Sequence, residues 1–326
     1  MASGVDVTST LAVTGTFTPA TPGTALPAGF EEADYYGAVD PSVADGSAWW
    51  QGWTYIDTDL DGGLPGDNDF HPLQAEIEGA AIVPASTNAC TTVNPAFTDG
   101  GTVTIFGESF PVCVINGDIN TDTTFENSHV FVLADFVNIG DGDVQGSTDM
   151  NVSNVTVTIP PGTQIYAAEG SAISFTATRG SEIIANGSAA QPIIFGAVTI
   201  DTSATNVITG DVTDLSGRGG QWGGVVLSGF GITAAGDENG EVSTEAAPSD
   251  ANRFYGGSDN ADSSGSLRYV IIAESGFEFA EDAEVQGLTV EAAGSGTVID
   301  FVQIAASSDD CVEWFGGAAD ASHVIC

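Results

Sequence analysis

Across residues 266–326 the chain runs as short apolar segments closed by Gly, Ser, Asp or Asn: LRYVIIAES, LTVEAAG, TVIDFVQIAAS, CVEWFGG and SHVIC. None spaces its apolar residues at the 3.6-residue period of an amphipathic helix. All are short and rich in Val and Ile, as strands are. Leu288-Thr289-Val290 recurs in kind as Val312-Glu313-Trp314, 24 positions on, and Phe301-Val302-Gln303-Ile304 as His323-Val324-Ile325-Cys326, 22 positions on. Two strand types sharing an offset in the low twenties predict the coil of a parallel β-helix, each coil stacked about 4.8 Å from the last. An antiparallel sandwich also spaces its strands by about 8 to 12 residues, but it does not repeat at a fixed two-strand interval.

The same pattern extends upstream. Residues 172–197 hold three strand runs about ten residues apart, and 221–230 hold the next. Residues 131–138 and 152–159 read as strands, with Pro160-Pro161-Gly162 turning the chain after the second. Residues 237–262 are polar and rich in Gly and Asp, too long for a coil turn, and predict a loop projecting from one side. Asp259 and Asp262 within it read as solvated rather than as ion ligands. Residues 74–115 are irregular apart from strands at 101–106 and 111–115. Near the start, 5–18 alternate apolar residues with Thr or Ser, the mark of a half-buried strand, before a turn-rich linker that ends at Pro27. The predicted organisation is therefore an N-terminal strand and linker (1–27), a β-rich region with aromatic and acidic loops (28–125) and a parallel β-helix (126–326).

Charge narrows the partners. The 326 residues include 45 Asp plus Glu, four Arg and no Lys, for a net charge of -41. Such a chain repels nucleic acid and anionic membranes and attracts divalent cations. A hydrophobic content of 42 % excludes a disordered acidic tail, and no apolar run reaches the ~18 residues that span a bilayer. Residues 1–12 have neither a basic segment nor a continuous apolar one, so they are no signal peptide as they stand. The four cysteines fall in two local pairs that fit no zinc spacing. Disulfides Cys90–Cys113 and Cys311–Cys326 are expected, and with them an oxidising, extracellular or cell-surface location reached after removal of a signal.

Several patterns suggest chemistry. Asp57, Asp59 and Asp61 followed by Gly62 open a D-x-D-x-D-G calcium loop, because alternate carboxylates aim oxygens inward and the glycine permits the sharp turn. Its twelfth position is Asn68 rather than Glu, so Asp67 or Asp69 must complete a Ca2+ site; the competing reading is a solvated acidic turn. Residues 116–122, NGDINTD, form a weaker oxygen cluster. Trp49, Trp50 and Trp53 read first as an aromatic cap on a core and second as a sugar-stacking platform. Asp309-Asp310-Cys311 looks like the paired aspartates of polygalacturonase-like inverting glycosidases, in which two carboxylates divide acid and base work. The accompanying NTD, G-H-G and R-I-K motifs are missing, so a coil turn capped by its own side chains is the leading reading. A lyase needs a cationic groove that four Arg do not supply. His71, His129 and His323 lie in no nucleophile elbow, and no phosphate-binding glycine loop occurs. Trp222 and Trp314 fall on strand patterns and read as core. Asn151, Asn154 and Asn186 occupy N-x-[ST] sequons.

The segments YYGAVD, WWQGWT, VTIPPGTQIYA, RGSEIIANGSAAQPIIFGA and RGGQWGGVVLSG, with the two runs from Tyr255 to Gly276 and from Gly294 to Gly317, together resemble a family of secreted bacterial right-handed parallel β-helix repeat surface proteins. The resemblance implies the fold and a surface location, and no settled catalytic role. It also implies further coils after WFGG, so that the stretch is expected to be a fragment or a helix completed by another molecule. The function expected is a calcium-stabilised extracellular structural or cell-surface protein. It would self-associate into a filament head to tail or by strand addition. The alternatives are a carbohydrate-active or sugar-binding protein using Asp309, Asp310 and the Trp49–Trp53 cluster, and an adhesin binding through the 237–262 loop.

Overall fold

The computed structural model describes residues 49–50, 53–54, 88–146, 152–213, 218–236, 240–246, 253–280 and 283–326. All lie in the second of two compact units, Trp49–Cys326. A single turn of helix, α1 (Cys90–Val93), precedes an antiparallel hairpin of β1 (Thr98–Ile105) and β2 (Glu108–Ile115). From β2 onward the sheets are parallel. One coil face stacks β2, β4 (Val130–Leu133), β7 (Gln164–Ala168), β10 (Ile193–Val198), β14 (Gly265–Ala273), β18 (Val298–Ala305) and β20 (Asp320–Ile325). A second stacks β3 (Thr123–Thr124), β6 (Thr156–Ile159) and β9 (Glu182–Asn186) onto the first half of β14. A third stacks β5 (Val137–Ile139), β8 (Ser174–Ala177), β11 (Gly224–Ser228), β17 (Leu288–Glu291) and β19 (Val312–Phe315). Two small antiparallel hairpins, β12 (Val242–Ser243) with β13 (Phe254–Tyr255) and β15 (Glu278–Ala280) with β16 (Ala283–Glu284), decorate the coil.

This is the parallel β-helix that the offsets predict. The 24-residue offset is the β17–β19 register, Leu288 opposite Val312, and the 22-residue offset is the β18–β20 register, Val302 opposite Val324. In-register stacking places like residues above one another, so the interior is built of columns. Cys113, Phe131, Ile165, Phe195, Ile272 and Ile304 form one such column, and all are buried in a single core. Aromatic rings reinforce it: Phe125 stacks on Phe131 at 4.2 Å, and Phe195 lies parallel to Trp222 at 6.5 Å. The indole of Trp222 donates to the Ala273 carbonyl at 2.7 Å, which satisfies its only polar atom inside the coil. The outer side of the first face is buried too, through Val112, Val130, Ile194 and Ile271, beneath Trp53 and the segment holding Val207, Ile208 and Val212.

Three strands turn the corner between faces by the same device. Tyr269 in β14 and Phe301 in β18 have positive φ, 48° and 57°, and each is skipped in the ladder that pairs Arg268 with Asp300 and Val270 with Val302. His323 in β20 repeats it at 51°. A left-handed residue costs about 1–2 kcal/mol. Here the three side chains stack outside the coil, Tyr269 on Phe301 at 4.5 Å and Phe301 on His323 at 4.3 Å, which offsets that cost.

Two sequence readings change. Residues 131–138, read as one strand, are β4 and β5 on different faces, because the chain turns a corner at Ala134-Asp135-Phe136, where Asp135 Oδ1 accepts the Phe136 amide and no Gly or Pro signals the turn. The 237–262 segment does not project freely: its described residues form the β12–β13 hairpin, laid against the coil. The amides of Phe254 and Gly256 donate to the carbonyls of Asp143 and Gly229, at 2.8 and 2.9 Å.

Candidate functional site

The hairpin is held down by two buried arginines. Arg179, at the turn after β8, is 1 % exposed and spends its whole fork on the hairpin and its neighbours. Nη1 donates to Glu241 Oε1 at 2.7 Å and to the Gly256 carbonyl, Nε to the Gly142 carbonyl at 2.7 Å, and Nη2 to the Val144 carbonyl. The guanidinium also lies over the Phe230 ring. A Cβ on Gly142 would stand 2.1 Å from the Arg179 carbonyl, so only glycine admits this approach. Arg253, beside β13, lies over the Phe136 ring and reaches Asp143 Oδ2 at 4.0 Å and Ser174 Oγ at 3.5 Å. Under the hairpin sits a small cavity lined by Asp143, Thr176, Ser228, Thr244, Arg253 and Glu291.

A larger polar pocket, ≈ 360 Å³, opens where this insertion meets the β6 and β9 rungs. Asn154, Thr156, Glu182, Phe230, Asp259 and Asp262 are among its lining residues. Asp259 Oδ1 accepts the Ala261 amide and shapes its own turn, while Asp262 Oδ2 accepts the Phe230 amide and ties that turn to the segment after β11. The sequon residue Asn154 stands exposed at the rim; Asn186 is also exposed and accepts from Ser266 Oγ, while Asn151 lies outside the described residues. Among the described residues no group of three His, Cys, Asp or Glu is placed to hold a metal.

The residues singled out by sequence are not brought together. Asp309 and Asp310 are exposed in a turn, where Asp309 Oδ1 accepts the Asp310 amide at 2.7 Å and the Asp310 carbonyl accepts from Ser307 Oγ and the Gly287 amide. That is the geometry of a capped coil turn. Asp300 accepts from Ser322 Oγ, His323 Nδ1 and Arg268; partial burial works against its ionisation, but the Ser322 and His323 hydrogen bonds and the Arg268 guanidinium together hold its carboxyl below the usual carboxylate range. His129 is buried against Asn88 and Glu126. In the 116–122 cluster, Asp118 binds Asn138 and Asp122 binds the Thr156 amide.

Trp53 is wholly buried, edge-on to Tyr269 and Phe301, and has no face left for a sugar; Trp49 is half-buried and stands edge-on to Phe301 and His323. Trp50 is half-buried as well, and its carbonyl accepts from Thr54. The aromatic group thus caps the corner stack. The calcium-loop residues Asp57, Asp59, Asp61, Asp67 and Asp69, and His71, lie outside the described residues.

Cys90 and Cys113 are joined as expected. Cys311 and Cys326, expected to pair, are both free thiols. The last coil does bring them together, but through a hydrogen bond; burial and that contact push the Cys311 thiol up to about 12. The β19 and β20 edges beside them have no further strand among the described residues. Leu227 and Val290 are fully buried, and Trp314, next in their column, is 41 % exposed.

Sequence reasoning missed Glu291, Arg179 and Arg253. Glu291 lies on a strand pattern and reads as solvent-facing, and only the 63-residue offset between β11 and β17 signals that an insertion covers it. A family model described as a pectate-lyase like beta helix domain matches residues 136–326. No curated protein and no solved structure matches.

Proposed function

The chain belongs to the family of pectate-lyase-like β-helix domains, and from that premise we propose that it is a non-catalytic structural protein of the extracellular space or cell surface that self-associates, head to tail or by strand addition. The observation that carries the reading is the parallel coil itself: three faces of in-register strands stacked around one apolar core make a stiff scaffold, in which Asp309 and Asp310 cap a turn. Strands of such a coil can add to the sheet edge of another molecule, and a head-to-tail contact of that kind propagates when it does not close. The Cys90–Cys113 disulfide suits an oxidising compartment. Calcium bound at Asp57, Asp59, Asp61, Asp67 and Asp69 would reduce the mutual repulsion of so acidic a chain.

Negative-stain microscopy at high protein concentration, with calcium, tests this. Rods longer than one molecule are expected; monodisperse single particles contradict it.

A second reading is supported by the ≈ 360 Å³ polar pocket and the family's description: a carbohydrate-active or sugar-binding protein. Assays on acidic polysaccharides of Asp309→Asn and Asp310→Asn, and of the pocket variants Asp259→Asn and Asp262→Asn, separate the two. Under the structural reading there is no turnover to abolish. Turnover in the parent that any of these changes removes replaces that reading with the enzymatic one.

A further inference from the structure

The third coil face is roofed by the β12–β13 hairpin, and beneath the roof lies a carboxylate without a salt bridge. Glu291, at the end of β17, points out of the coil yet is 2 % exposed. Its oxygens accept hydroxyls from both sides of the seam: Oε2 from Ser228 of β11 at 2.7 Å, and Oε1 from Thr244 of the hairpin strand's continuation. Arg253, the cation of the cavity, makes its ion pair with Asp143 and acts on Glu291 only through space. Of the other charged or titratable groups facing this seam, Glu245 comes from the hairpin, Tyr255 from β13, Glu313 from the next rung, and Asp118 and Asp141 from the turns on the Asp143 side. Arg179 and Glu241, at the hairpin's start, are paired with each other. The cavity therefore holds two carboxylates, Asp143 and Glu291, against one guanidinium, and one proton makes it neutral.

We propose that the hairpin is a proton-operated lid: closed, it keeps a proton on Glu291 inside the Asp143–Arg253–Glu291 cavity, and losing that proton loosens the hairpin from the coil. Opening bares the strip of wall that carries Thr176, Ser228 and Glu291.

The direction follows from burial. Desolvation pushes the Glu291 carboxyl up to about 7, against 4.5 for an ordinary glutamate, although its two hydroxyl donors and Arg253 pull the other way. Below about 4.5 both the closed and the open forms carry the proton. Between 4.5 and 7 only the closed form does, so rising pH favours opening throughout that window. Above 7 both forms are ionised and the dependence stops. Burial raises Asp143 and Glu245 as well, which adds protons to the same closed state.

Hydrogen exchange of the hairpin amides, expressed as protection factors from pH 4 to 8, tests the lid in the full chain. Protection at Thr244, Phe254 and Gly256 is expected to fall by about tenfold per pH unit between about 4.5 and 7 and then level off. Glu291→Gln, which mimics the protonated side chain, should flatten that fall. A pH-independent wild type, or an undiminished slope in Glu291→Gln, overturns the proposal. If that variant does not fold, Ser228→Ala decides. It removes a donor that favours the ionised carboxylate, so the upper limit of the window must move to higher pH, and an unmoved limit overturns the proposal equally.

Discussion

Arg179 illustrates how few cations hold this acidic chain together and how completely each is used. It satisfies three backbone carbonyls and one buried carboxylate at once, between a coil turn and an insertion 62 residues on. Removing one partner of such a pair strands the other, at a cost of about 3–5 kcal/mol. Arg179→Ala is therefore expected to lose roughly that much in urea unfolding, and Arg179→Lys to recover only part, because an ammonium cannot reproduce the fork. A loss below about 1 kcal/mol would show that the hairpin is not clamped as described. None of this was legible in the sequence. An Arg before Gly180 reads as a turn, and its partner Glu241 sits in a stretch whose composition says only loop. Asp309 and Asp310 went the other way: their motif suggested paired-carboxylate chemistry, and the structure places them in an exposed turn where Asp309 Oδ1 accepts the Asp310 amide.

At the scale of the element, legibility follows the length of the inserts. The β17–β19 and β18–β20 registers have offsets of 24 and 22 and were visible directly. The β8–β11 and β11–β17 registers, at 50 and 63, are the same coil with loops inserted, and no fixed period survives. The corner residues were hidden for another reason. Tyr269, Phe301 and His323 adopt a left-handed conformation that sequence associates with Gly or Asn, and the stack that makes it tolerable appears only when coils are superposed. Of the two disulfides expected, Cys90–Cys113 is formed and Cys311–Cys326 is not. The first closes a loop of 23 residues between α1 and β2, which is worth about 3 kcal/mol in the loop-entropy account. Cys90→Ser with Cys113→Ser is expected to lower the stability by that order and leave the far rungs intact, as hydrogen exchange of β17 and β18 can show. Loss of protection at the far rungs would mean that the coil unfolds as one cooperative unit.

For the whole molecule, the balance is between an apolar parallel coil and a net charge of -41. Like charges oppose association over about 10 Å at 0.1 M salt and over about 3 Å at 1 M, whereas apolar contact between molecules gains from salt. Self-association should thus strengthen with ionic strength, the reverse of an interface held by ion pairs. The most direct measurement is sedimentation velocity across protein concentration at low and high salt. A self-associating structural protein gives a weight-average sedimentation coefficient that climbs with concentration and climbs further in salt. A coefficient independent of concentration at every salt would contradict that role.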